Sequence, residues 1–201
     1  MKKKYILLIL NIIIIILEMI AFRLSYLIHG LSFLMFYTED SNLFALLVAI
    51  IYVIYLLKGN IPNWLRKLKY IATGGLLLTF LVVIFILSPS YGPEGYYFML
   101  LSGSMLYQHL LCPILYFISY FIFEPRIKLN NKDVLIAMIP TLIYATIIII
   151  LNVLKVIIGP YPFLMVYNQP IYISILWFLI ILGGIYLFYK IIQIISQKII
   201  I

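Results

Sequence analysis

Apolar residues run along this chain in six long stretches separated by short polar breaks, rather than alternating with polar ones. The stretches fall near Tyr5–Ser25, Ser41–Leu57, Tyr70–Leu87, Tyr107–Phe123, Val134–Leu151 and Ile171–Tyr189. A helix needs about 20 apolar residues, at about 1.5 Å each, to cross about 30 Å of hydrocarbon. Periodicity does not separate helix from strand inside such runs, even in the β-branched tracts Ile12–Ile16 and Ile147–Ile150. Length does: a membrane strand has about 9–11 residues of alternating polarity, and these runs are neither short nor alternating. The pattern predicts an all-α polytopic membrane protein, a six-helix bundle forming one domain over residues 1–201. The opening Met1–Lys4 and the apolar run after it are read as the first span, because no small-residue cleavage site follows. No linker or internal repeat interrupts the series. Gly74-Gly75 and Gly183-Gly184 are expected points of close helix packing.

Composition narrows the function classes. Hydrophobic residues make up 66% of the chain and charged residues 10%, with a mean hydropathy of +1.20. Soluble proteins carry roughly 45–50% apolar and 25% charged residues. So much apolar surface does not fit inside a small globule, which excludes a soluble enzyme and a disordered chain. The net charge of +8 invites a nucleic-acid reading, but the positions of the cations explain it better. Lys2, Lys3 and Lys4 precede span 1; Lys58, Arg66, Lys67 and Lys69 fall between spans 2 and 3. Arg126, Lys128 and Lys132 fall between spans 4 and 5, and Lys190 and Lys198 follow span 6. These are 12 of the 14 basic residues, with Arg23 and Lys155 opposite. The positive-inside rule then predicts both termini in the cytoplasm. The lone Cys112 has no internal disulfide partner.

Candidate chemistry collects toward the outer side. Counted along the helical rise from the cytoplasmic ends, Glu18 lies about 20 Å deep, His109 about 21 Å and Asn42 about 22 Å. Thr38 comes to about 28 Å by the same count. Ionisable groups at such depth are costly and usually face a cavity or a partner. Pro113, four residues after His109, leaves the His109 carbonyl without its helical partner and favours a kink. His109 and Cys112 are two potential metal ligands without a third, so no metal site is expected. The run Phe36–Asn42 enters span 2 from outside. Thr38, Asp40 and Ser41 are ordinary N-cap residue types. The same geometry also presents helix-start N–H groups able to hold an oxyanion beside a hydroxyl able to attack, given a base such as His109.

Tyr37-Thr38-Glu39-Asp40-Ser41-Asn42 resembles the T-x-x-S-N signature of the androgen-induced and androgen-dependent TFPI-regulating protein family, bacterial relatives included. His109-Leu110-Leu111-Cys112-Pro113 is similar to that family's histidine, apolar stretch and proline, and Tyr161-Pro162-Phe163-Leu164 resembles its Y-P-F-L motif. The resemblance implies an intramembrane hydrolase of lipid esters, such as fatty acid esters of hydroxy fatty acids, in a bacterial cytoplasmic membrane. It implies a threonine nucleophile at Thr38 and a catalytic histidine at His109. Ser41, Asn42 and Glu18 are the candidates for holding the oxyanion or orienting the imidazole. Tyr161, Pro162 and Phe163 are candidates for the substrate rim. The expected partners are membrane lipids and a lipid ester substrate, with no nucleic acid, metal or organic cofactor. The alternative reading is a non-enzymatic membrane protein, a small transporter or lipid-binding scaffold, sharing the fold.

Overall fold

The computed structural model describes residues 2–125 and 127–198, so Arg126 of the predicted cytoplasmic cluster lies outside the described residues, as do the side chains of Lys2 and Lys198. The long helices are α1 (Lys2–His29), α2 (Tyr37–Lys58), α3 (Asn63–Val82), α6 (Asn131–Val153) and α7 (Ile171–Lys198). Between α3 and α6 stand the short helices α4 (Gly95–Leu101) and α5 (Cys112–Ile118), with a single helical turn at Ser88–Ser90 before them. No strand occurs among the described residues. Among the described residues six segments are long and apolar enough to cross a membrane, the third running Asn63–Ser90 and the fourth Leu106–Phe123. The chain is a multi-pass helical membrane protein.

Packing divides the described residues into two units, 2–128 and 129–198. In the first, α1, α2, α3 and the fourth segment pack around a core that includes Ala45, Ala49, Ala72 and Tyr116. Small residues let helix backbones approach closely where lipid supplies no hydrophobic drive between helices. Gly75 faces the start of α2, where an added Cβ would lie 3.6 Å from the Tyr37 hydroxyl and 3.7 Å from Ser41 Cβ. Ile9, Ile12, Ile13 and Ile16 point outward on α1, as lipid-facing residues do.

Two π-helical turns, Val83–Leu87 and Leu106–Leu111, each end just before a proline, Pro89 and Pro113. Proline lacks the N–H for an i→i−4 bond and its ring clashes with that carbonyl, and a widened turn relieves both. The kink expected at Pro113 is thus a π-turn that contains His109.

Three expectations need correction. Arg66, Lys67 and Lys69 are not loop cations: α3 begins at Asn63, and only residues 59–62 separate it from α2. Lys69 is fully buried, because its ammonium finds local partners that replace water. Its Nζ donates to Asn11 Oδ1 at 2.7 Å, lies 3.5 Å from Glu124 Oε1 and sits 3.7 Å from the Tyr116 ring centroid. Burial pushes the Glu124 carboxyl up from its usual range, and the Lys69 charge pulls it back. Next, span 2 begins at Tyr37 rather than Ser41, with the extended Phe36 as N-cap and no side-chain cap bond. Apolar patterning marks where a helix is buried, not where its backbone turns helical. Last, a Cβ at Gly183 or Gly184 would meet nothing within 4 Å, so neither glycine is a packing point.

In the second unit, α6 opens with a reciprocal capping box. The Asp133 N–H donates to Asn130 Oδ1 at 3.0 Å, and the Asn130 N–H donates to Asp133 Oδ2 at 2.9 Å. Gln193 Nε2 on α7 donates to the Leu129 carbonyl at 3.0 Å.

Candidate active site

The site is assembled in the first unit from α1, the first turn of α2, α4 and the π-turn before α5. Helix α2 places Thr38, Glu39, Ser41 and Asn42 on its first turns, all buried. The Glu39 and Asp40 N–H groups donate to the Phe36 carbonyl at 3.0 and 3.3 Å. Ser41 and Asn42 follow inside the helix, where their N–H groups join the ladder, which removes them as backbone oxyanion donors. Because Phe36 is the N-cap, Thr38 is not a capping residue, and the ordinary explanation of its presence falls away.

Hydroxyl and amide side chains tie this turn to its surroundings. Asn42 Nδ2 donates to the Thr38 carbonyl at 2.7 Å and reaches the Gln108 carbonyl at 3.4 Å, so one side chain links the threonine's residue to the neighbour of His109. Ser41 Oγ donates to the Thr38 carbonyl at 3.0 Å and lies 3.1 Å from Thr79 Oγ1. Glu39, to which sequence reasoning assigned no role, is a hub. Its Oε1 accepts from Ser25 Oγ at 2.5 Å and its Oε2 from Gln108 Nε2 at 2.5 Å. A carboxylate so bonded clamps α1, α2 and the π-turn together.

His109 is buried, and its Nδ1 lies 2.7 Å from the Met99 carbonyl. A carbonyl only accepts, so Nδ1 carries the proton and Nε2 is the basic nitrogen. Met99 comes from α4, an element absent from the sequence reading, since Gly95–Leu101 is too short to register as a span. Gly95 sets its entry: a Cβ there would fall 1.9 Å from the Ser88 carbonyl oxygen. The apolar run between Gly95 and Gly103 was the available signal.

Among the described residues no hydrogen bond joins Thr38 to His109, nor Asn42 or Glu18 to the imidazole; the Met99 carbonyl does the orienting. Glu18 is fully buried on α1. No group among the described residues closes a well-directed hydrogen bond to its carboxyl oxygens. Tyr161, Pro162 and Phe163 belong to the second unit. There the Tyr161 and Phe163 rings stack at 5.3 Å, and Pro162 opens a 3-10 turn. Phe163 and Leu164 help line an apolar cavity of about 500 Å³ within that unit. No family model, curated protein or solved structure matches this chain.

Proposed function

We propose that this protein is an intramembrane hydrolase of lipid esters, of the class of fatty acid esters of hydroxy fatty acids, with Thr38 as nucleophile and His109 as general base. The supporting observation is the held tautomer of His109, whose Nδ1 is fixed on the Met99 carbonyl at 2.7 Å so that Nε2 is the nitrogen left to take a proton. Thr38 Oγ1 attacks the ester carbonyl carbon while its proton passes to His109 Nε2. The tetrahedral intermediate expels the alkoxide, which takes that proton and leaves as the alcohol. Water, deprotonated by the same nitrogen, then releases the acid from Thr38. Ser41 is the weaker candidate nucleophile, since its hydroxyl is engaged by Thr79 and the Thr38 carbonyl. Both termini face the cytoplasm of a bacterial cell in this reading, which puts the site near the outer leaflet.

The deciding assay is hydrolysis of a palmitoyl ester of hydroxystearic acid by the purified chain in detergent, followed as released hydroxy acid. Turnover by the wild type and its absence in folded Thr38→Ala and His109→Ala supports the reading. Equal rates in all three, or no turnover by the wild type, refutes it.

A further inference from the structure

Away from that site, the turn between α2 and α3 borders a second cavity, of about 420 Å³, that the hydrolase reading leaves without a role. Three cations line it: Lys3 and Lys4 from the start of α1, and Arg66 from the first turns of α3. Asn60 adds an amide, and Leu7, Leu56 and Phe123 form an apolar wall. One carboxylate, Glu124, also borders the cavity, but its Oε1 is taken by Ser119 Oγ at 2.8 Å and by Lys69 at 3.5 Å. Arg66 Nε is buried and has no hydrogen-bond partner among the described residues. A buried guanidinium N–H without an acceptor is costly, and gathering like charges adds repulsion. An anion in the cavity relieves the repulsion among the three cations and gives the exposed part of the Arg66 guanidinium an acceptor.

From this geometry we infer a binding site for a phosphate group carried by a phospholipid headgroup. A phosphate diester offers acceptors to the Arg66 fork and a charge to Lys3 and Lys4. The glycerol and upper acyl carbons lie against Phe123 and Pro125, a surface that free phosphate would leave bare. The cavity lies where α1 begins and α2 ends, at the ends of spanning helices, where headgroups are found.

The test uses the full chain in dodecyl maltoside with lipid retention read by native mass spectrometry. The probes are phosphatidylglycerol and diacylglycerol of the same acyl chains. Phosphatidylglycerol is retained over diacylglycerol, and Arg66→Gln weakens its binding at least about fivefold with helical circular dichroism unchanged. The pair Lys3→Gln and Lys4→Gln, at exposed positions, weakens it at least as much. Lys132→Gln, an exposed cation outside the cavity, leaves binding unchanged. Inorganic phosphate at millimolar concentration fails to displace the lipid. Its displacing the lipid would overturn the lipid assignment in favour of free phosphate. Equal retention of the two lipids, wild-type affinity in both cavity variants, or an equal loss in Lys132→Gln would overturn the site altogether.

Discussion

At the scale of single residues, Thr38 and Ser41 are the two hydroxyls to distinguish. With Phe36 as the N-cap, Thr38→Ala removes no cap and should cost only about 1 kcal/mol of stability. If Thr38 is the nucleophile, the same change abolishes turnover while Thr38→Ser retains some. Labelling by an ester-mimicking phosphonate should then disappear in Thr38→Ala and persist in Ser41→Ala; the reverse pattern would move the nucleophile to Ser41. His109→Ala should lower the rate at least about 10²-fold, through loss of general base catalysis. Combining it with Thr38→Ala should add little, because residues acting as one unit are strongly non-additive. Multiplicative losses in that double variant would dissolve the pair.

At the scale of elements, the π-turn Leu106–Leu111 decides where the imidazole points. Pro113→Ala restores an N–H for the His109 carbonyl and allows the turn to narrow to α-helix. Closing a turn that holds one extra residue rotates what precedes it by about 100° relative to α5. His109 would leave the Met99 carbonyl, so ester hydrolysis should fall while the thermal midpoint holds or rises. An unchanged rate would restrict Pro113 to packing. Helix α3 carries a second test. Lys69→Met leaves Glu124 buried without its cation and should destabilise the protein by about 3–5 kcal/mol. Adding Glu124→Gln should recover most of that loss, read as denaturation midpoints in detergent. Equal midpoints for the single and double variants would show that the pair is not coupled.

For the whole molecule, the prediction concerns orientation. The division of basic residues, 12 against 2, predicts the α2–α3 turn inside and the loop before α4 outside. Cys112 is the single native cysteine and is buried, so it gives little background to labelling at new positions. A membrane-impermeant maleimide on intact cells should modify Glu94→Cys and spare Asn60→Cys, both exposed positions. Modification of Asn60→Cys alone would invert the topology and move the hydrolase site to the inner leaflet.

The number of spanning helices, their approximate places and their lipid setting were determined by the sequence alone. In lipid each helix satisfies its own backbone, so apolar length is a local property that needs no knowledge of neighbours. His109 was legible as a candidate for a related reason: a polar group in an apolar run stands out whatever it touches. Thr38 was legible only through its place at a helix start and the T-x-x-S-N resemblance. Tertiary structure alone decided what those groups touch. Glu39 meets Gln108 across 69 positions of sequence, and Lys69 finds Asn11 across 58. His109 takes its carbonyl from Met99 on a helix too short to register in the apolar pattern. Partner choice depends on which helix faces meet and at what height. The packing of small residues and the widened turns before prolines set both, and neither leaves a periodic mark in the sequence.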